Sequence, residues 1–239
     1  MTLPVSAALN PWKSWMSRPE IAAVVFDLDG LMINSEDLFH DVGREVLRRR
    51  GQIMTTETLL AMMGRRAPEA IQVMIDRHQL PDTVQELIDE TAQVFAMVAE
   101  TRLETMPGLF ALLEAIERRG LPKAVATSSG RNYLDSVLSR FDLHHRFQFT
   151  LTAEDVTHGK PHPEIYLTAA SRLGVPPSKV MVLEDSHTGS TAAARAGTIV
   201  VSIPHEFSRH LDFGHSSHIA PRLDDPLILA LLEAFGEAS

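Results

Sequence analysis

The sequence predicts an α/β fold in which helices flank a doubly wound parallel sheet and an α-helical segment is inserted after the first strand. Three observations support this prediction. Several short apolar runs lack polar alternation, as is typical of strands buried on both faces of a parallel sheet. Segments with helical spacing of apolar residues separate most of these runs. Polar clusters follow the runs directly, at the edge where such sheets bind ligands.

Five apolar runs are predicted to be strands of this sheet. The first covers 21–26, and the others cover 122–126, 147–152, 179–183 and 198–203. Helical patterns at 109–119, 163–173 and 190–196 each end at a glycine, which suits a helix C-terminus. Strands that alternate with helices in this way predict parallel pairing.

One segment interrupts the alternation. Between residues 36 and 104, helical patterns occur at 41–47, 56–63, 68–77 and 83–101, without a convincing strand. Helices that simply cover one sheet face are an alternative, but their clustering at one chain position favours a separate cap. We therefore expect a Rossmann-like catalytic core at 21–35 and 105–239, a helical cap domain at 36–104 and an N-terminal leader at 1–20.

Composition narrows the possible functions. The net charge is -9, so the chain lacks the basic surface expected of a nucleic-acid binder. Because it has no cysteine, disulfides, thiolate metal sites and cysteine nucleophiles are excluded. No apolar run approaches the length needed to span a bilayer. The first residues lack a basic stretch followed by an apolar one, so we do not expect a signal peptide there. We expect a cytoplasmic monomer or weak dimer that binds neither nucleic acid nor membranes.

Asp27 and Asp29 follow the first predicted strand with one residue between them. On an extended chain their side chains point the same way. One carboxylate could then act as nucleophile and metal ligand, and the other as general acid and base. Gly30 allows the chain to turn off the strand. By itself the pattern also occurs in turns and calcium loops.

A second acidic pair, Glu184 and Asp185, follows a later apolar run. Two adjacent acids at a buried strand end need a compensating positive charge. Mg²⁺, which prefers oxygen ligands, would supply it. Such residues also cap helices, and both interpretations can hold together.

Thr127, Ser128 and Lys160 complete the candidate site. The two hydroxyl residues follow the strand predicted at 122–126, where hydroxyls and backbone amides at a helix start bind anions. Lys160 stands between Gly159 and Pro161 and could neutralise phosphate charge. Helix capping and an exposed lysine are the ordinary alternatives for each residue alone. Together with the acids, the set meets the needs of phosphoryl transfer.

In its order and composition, this set resembles the haloacid dehalogenase superfamily, especially the branch of sugar phosphatases and β-phosphoglucomutase-like proteins with a helical cap. The resemblance covers roughly residues 21–204. The four motifs that carry it are Phe26-Asp27-Leu28-Asp29-Gly30-Leu31, Ala126-Thr127-Ser128-Ser129, Gly159-Lys160-Pro161 and Leu183-Glu184-Asp185-Ser186.

The resemblance implies a role for each motif. Asp27 is expected to be the nucleophile and a metal ligand. Asp29 is expected to be the general acid and base, with its backbone carbonyl on the metal. It also implies that Thr127 and Lys160 hold the phosphoryl group, and Ser128 is a candidate substrate contact. Asp185, together with Glu184, is expected to complete the Mg²⁺ site, and the cap is expected to close over a small phosphorylated metabolite.

Specificity is expected to reside in the cap. Arg66 could grip a second anionic group of the substrate, whereas the neighbouring Arg65 is expected to be a solvated charge at a helix end. Asn34 could orient a substrate hydroxyl or simply form a turn. The late histidines, His205, His210, His215 and His218, match no metal site and suggest a surface loop.

Asp29 favours phosphate chemistry over dehalogenation, because dehalogenase relatives lack this second acid. A phosphosugar mutase is the main alternative activity. Mutase relatives carry a histidine at the position of Phe39, and here His40 stands one residue later. We therefore predict an Mg²⁺-dependent phosphatase, with a sugar phosphate as the substrate class, ahead of a mutase. A phospho-acceptor receiver module or an inactive binding protein are the non-enzymatic alternatives.

Overall fold

The computed structural model describes residues 20–62, 65–206 and 208–233. Its centre is a sheet of six parallel strands in the order β3-β2-β1-β4-β5-β6. The strands are β1 (Ala23–Phe26), β2 (Lys123–Ala126), β3 (Thr150–Leu151), β4 (Val180–Glu184), β5 (Ile199–Ser202) and β6 (His218–Ile219). The predicted fold class is confirmed, and β1 lies in the middle of the sheet.

Burial on both faces explains the continuous apolar runs. Val24 and Phe26 of β1 belong to one apolar cluster, whereas Ala23 and Val25 belong to a second. Successive side chains of a strand point to opposite faces, so the two clusters lie on opposite sides of the sheet. All four residues are fully buried, which rules out polar alternation in this strand.

Helices cover both faces. The helices after the insertion are α5 (Leu109–Arg118), α6 (Arg131–Arg140), α7 (Glu164–Leu173), α8 (His187–Arg195) and α9 (Pro226–Glu233). Buried residues of α5, α6 and α9 join the cluster of Val24, and those of α7 and α8 join the cluster of Val25. The sequence patterns had not indicated α6, α9 or β6. Helix α6 has few apolar residues, α9 is apolar at 227–232 without helical alternation, and β6 has only two residues.

The segment between β1 and α5 contains four helices and, among its described residues, no strand of the sheet. They are α1 (Ser35–Arg48), α2 (Thr56–Met62), α3 (Ala67–His78) and α4 (Val84–Arg102). A capping box between Thr83 and Glu86 begins α4, because each side chain accepts a hydrogen bond from the backbone N–H of the other. The helical content matches the sequence pattern. Its independence as a cap domain stays a prediction.

The expected leader lies, apart from Glu20, outside the described residues. Within the described residues, no helix is long and apolar enough to cross a membrane.

Candidate active site

The carboxyl ends of three neighbouring strands carry the polar clusters to one place. Asp27 follows β1, Thr127 follows β2, and Glu184 and Asp185 stand at the end of β4. Because β1 pairs with both β2 and β4, these residues lie side by side at the same sheet edge. The loop before α7 brings Lys160 to the same point.

Lys160 connects two of the acids. Its Nζ lies 2.5 Å from Asp27 Oδ1 and 2.6 Å from Glu184 Oε1, and it also donates to the carbonyl of Ala126 at 3.2 Å. Only 4% of the lysine side chain is exposed. This ion-paired lysine is therefore not the exposed surface residue that its sequence context allowed.

Burial and charge shift the pKa values of these groups. Burial, reinforced by the charges of Glu184, Asp185 and Asp29, raises the pKa of Asp27 well above its usual range, although Lys160 opposes the shift. Burial disfavours the charged form of Lys160, but the attraction of Asp27 and Glu184 prevails and raises its pKa. The site thus contains one charged lysine, whose single positive charge is outnumbered by the acids around it.

Three carboxylates could hold a metal ion here. One oxygen each of Asp27, Glu184 and Asp185 lies within 4.8 Å of the others, and all three residues are buried. A set made only of carboxylate oxygens suits a hard divalent cation rather than a softer metal. Since Lys160 supplies one positive charge against three acids, a divalent cation would offset the remainder. The residues therefore fit a divalent metal.

Glu184 is also the most heavily hydrogen-bonded of these acids. Its Oε1 accepts from Lys160 and, at 2.6 Å, from the hydroxyl of Tyr166. Its Oε2 accepts from the backbone N–H of Ser186 at 3.2 Å and from the Ser186 hydroxyl at 2.9 Å. A Cβ on Gly189 would lie only 1.7 Å from Oε1. The glycine of α8 is thus required for this carboxylate to fit.

Asp29 lies in a pocket of hydroxyl groups. Its Oδ1 accepts from Ser35 at 2.8 Å and from Tyr133 at 2.9 Å. Its Oδ2 accepts from Ser129 at 2.6 Å and from Thr127 at 3.3 Å. The sequence interpretation missed Ser35, Ser129 and Tyr133. Ser129 was detectable, since it lies within the second motif, but no local pattern marks the other two.

Arg66 approaches the loop of Lys160 from the helical insertion. A Cβ on Gly159 would lie 2.6 Å from the Arg66 Nε and 2.9 Å from its Nη2. Within the described residues, Nη2 is buried and has no hydrogen-bond partner. An unpartnered buried donor of a guanidinium group costs free energy unless a ligand completes it.

Two other candidate substrate contacts have different surroundings. Asn34 donates to the carbonyl of Arg102 at 3.1 Å and accepts from the N–H of Glu104 at 2.8 Å. It thereby joins the two ends of the insertion, which is a structural role and gives no support to a substrate contact. Ser128 is half-buried at the end of β2 beside Thr127.

The prediction that His205 lies on a surface loop was wrong. Only 12% of its side chain is exposed, and its Nε2 lies 3.2 Å from Asp185 Oδ2. Burial lowers the pKa of this imidazole. The chain after β5 folds back across the end of β4, a long-range contact that histidine spacing alone does not reveal.

Comparison with known proteins identifies the class. The family model described as haloacid dehalogenase-like hydrolase matches residues 24–203. The chain belongs to this family. The matched region contains Asp27, Asp29, Thr127, Lys160, Glu184 and Asp185, whereas His205 lies just beyond its end. The predicted family and the predicted enzyme class, a phosphoric monoester hydrolase, are both confirmed.

Several relatives are phosphatases. The chain is 35% identical over 179 residues to validoxylamine A 7'-phosphate phosphatase of Streptomyces hygroscopicus subsp. limoneus, covering 75% of this chain and 84% of the relative. It is 34% identical over 195 residues to hexitol phosphatase B of Escherichia coli K12, covering 79% and 87% respectively.

Solved structures show the same fold. CbbY from Rhodobacter sphaeroides, in complex with phosphate, superposes with a TM-score of 0.78 at 26% identity and covers 89% of this chain and 99% of its own. A putative β-phosphoglucomutase from Thermotoga maritima gives a TM-score of 0.72 at 27% identity, with coverages of 90% and 100%.

Proposed function

We propose that this chain is an Mg²⁺-dependent phosphatase that hydrolyses a small phosphorylated metabolite, with a sugar phosphate as the substrate class, through an aspartyl phosphate on Asp27. The observation that carries the proposal is the convergence of Asp27, Lys160 and the acidic pair after β4 on one buried point. The phosphorylated sugars or sugar-like compounds named for two of the relatives support the substrate class.

The residues divide the reaction into two steps. An oxygen of Asp27 attacks phosphorus, the bond from phosphorus to the leaving oxygen breaks, and Asp29 gives that oxygen its proton. Asp29 then takes a proton from water as the water oxygen attacks phosphorus, and Asp27 is released as a carboxylate. Thr127, Ser128 and Lys160 hold the phosphoryl oxygens.

The metal has a defined place in this scheme. Asp27, Glu184, Asp185 and the backbone carbonyl of Asp29 would hold Mg²⁺. When bound, the ion neutralises charge on the phosphoryl oxygens. Glu184 shares its oxygens with Lys160, Tyr166 and Ser186, so it also keeps the lysine in position.

The insertion is proposed to act as a cap, residues 36–104, over a core of 21–35 and 105–239. Arg66 extends from it towards the loop of Lys160, and its buried Nη2 has no hydrogen-bond partner in the part of the chain that the structure describes. This donor suits a second anionic or strongly polar group of the substrate. We expect Arg66→Ala to raise KM at least severalfold, and Arg65→Ala, which changes an exposed neighbouring arginine, to leave KM unchanged.

A phosphosugar mutase remains the second candidate, because a putative β-phosphoglucomutase is among the similar structures. Phe39 stands where mutase relatives are expected to carry histidine. Phe39 is 41% exposed, and its ring stacks on that of Phe95, so this position offers no proton-transfer group. That observation favours hydrolysis.

The deciding experiment measures phosphate release from p-nitrophenyl phosphate with Mg²⁺, together with a screen of phosphorylated metabolites and a glucose 1-phosphate isomerisation assay. We expect phosphate release by the wild type and none by Asp27→Asn, with the melting temperature retained. Turnover by Asp27→Asn would refute the nucleophile, and isomerisation without phosphate release would favour the mutase.

A further inference from the structure

Tyr133 lies where the core meets the insertion. It stands in the first turn of α6, and its hydroxyl donates to Asp29 Oδ1 at 2.9 Å. Ser35 donates to the same oxygen at 2.8 Å. Ser35 is the first residue of α1 and Tyr133 lies on α6, so hydroxyls from two distant segments of the chain hold this one oxygen.

A hydroxyl suits a carboxyl group that must change its protonation state. An ionised carboxylate only accepts, whereas the protonated acid has an O–H to donate. A phenol can donate to the first form and accept from the second, which a lysine or arginine cannot do.

The ring of Tyr133 is held by two aromatic residues of the insertion. Phe95 of α4 meets it edge-on, with ring centroids 5.4 Å apart and an interplanar angle of 69°. Phe39 of α1 stacks on Phe95 at 4.8 Å and lies 6.2 Å from the Tyr133 ring. Such contacts fix the orientation of a ring more closely than burial alone. The insertion therefore helps to direct the Tyr133 hydroxyl towards Asp29.

We propose that Tyr133 is a positioning residue for the Asp29 carboxylate, and that the Phe39–Phe95 pair of the insertion orients its ring for this task. The inference rests on the proposed acid and base role of Asp29. It assigns Tyr133 a part in protonating the leaving group, and it makes that step depend on the packing between α6 and the helices α1 and α4.

The test compares two substrates that differ in their need for an acid. Phenol leaves poorly without a proton, whereas p-nitrophenol leaves readily as its anion. We expect Tyr133→Phe, which removes only the hydroxyl, to lower kcat/KM for phenyl phosphate about tenfold, as the loss of one hydrogen bond to a charged group predicts. The loss for p-nitrophenyl phosphate should be about twofold, with an unchanged melting temperature.

A matched control and a second variant complete the design. Ser136→Ala removes an exposed hydroxyl from the same helix and should change neither value. Phe95→Leu should lower kcat/KM for phenyl phosphate about threefold, but should cause no further loss in the Tyr133→Phe background, because both changes then affect one interaction. Phe95→Leu keeps the Tyr133 hydroxyl. If Tyr133→Phe lowers the melting temperature, Phe95→Leu therefore still tests whether the orientation of Tyr133 affects catalysis by Asp29.

Each outcome has a distinct meaning. Equal losses for the two substrates in Tyr133→Phe, or purely additive losses in the double variant, would overturn the positioning role alone. If Asp29→Asn turns over phenyl phosphate as fast as the wild type, Asp29 is not the general acid and base. The proposed positioning role of Tyr133 would then also be refuted.

Discussion

Gly189 provides the sharpest test of the site, because alanine normally stabilises a helix relative to glycine by about 0.5–1 kcal/mol. At this position of α8, the added Cβ would lie 1.7 Å from Glu184 Oε1 and 2.3 Å from Oε2. Real Cβ contacts are essentially never below 3.0 Å, so the carboxylate must move by more than about 1 Å. Such a movement breaks its hydrogen bonds with Lys160 and Tyr166.

The expected cost follows from those contacts. Each hydrogen bond to a charged group contributes roughly 1.5–3 kcal/mol, so losing two outweighs the helix gain and leaves a net loss of about 2–5.5 kcal/mol. We expect Gly189→Ala to lower the melting temperature by roughly 5–20 °C and to reduce p-nitrophenyl phosphate turnover at least tenfold.

A second helical glycine supplies the control for this prediction. A Cβ on Gly43 in α1 would meet only Cε of Met54, the end of a flexible side chain, at 2.5 Å. We expect Gly43→Ala to be neutral or slightly stabilising, measured by the same thermal unfolding assay. If Gly189→Ala were as stable and active as Gly43→Ala, the assignment of Glu184 to this crowded position would be wrong.

Three further predictions concern charge. Lys160→Met should abolish p-nitrophenyl phosphate turnover, because it leaves Asp27 and Glu184 without their shared cation; retained turnover would refute the role of the lysine. EDTA should remove activity and Mg²⁺ should restore it and raise the melting temperature; metal-independent turnover would contradict the proposed cofactor. Hydrogen bonds from Arg146, then Lys123, lower the pKa of Glu117 from 4.5 to about 2. Since the folded-state pKa is depressed, this stabilisation is present above pH 4.5 and is lost as pH falls towards 2. Because Glu117 is partly exposed, Glu117→Gln should lower the free energy of unfolding by only about 1 kcal/mol at pH 7. Urea unfolding should show that the difference between wild type and variant decreases as pH is lowered from 5 to 3. A difference that does not change with pH would contradict the ion pair.

Much of the fold could be predicted from the sequence because its signals are local. A strand buried on both faces must be apolar throughout, so β1 and β4 were visible as continuous runs. Their parallel pairing then required that the polar residues after each strand meet at one edge. Asp27 and Asp185 could therefore be placed in one site before any coordinates were known. The two-residue strand β6 carried no such signal.

The sequence by itself determined the fold class, the family and the residue types that converge on the sheet edge. Only the tertiary structure decided which donors surround each acid. Tyr133 and Asp29 are 104 positions apart, and His205 reaches Asp185 only because the chain after β5 folds back across β4. Likewise, the hydrogen bonds by which Asn34 connects the two ends of the insertion, to Arg102 and Glu104, could not be inferred from its position in the sequence. Strand periodicity is set by neighbours along the chain, whereas hydrogen-bond partners at a buried site are set by packing between distant segments, which no local pattern records.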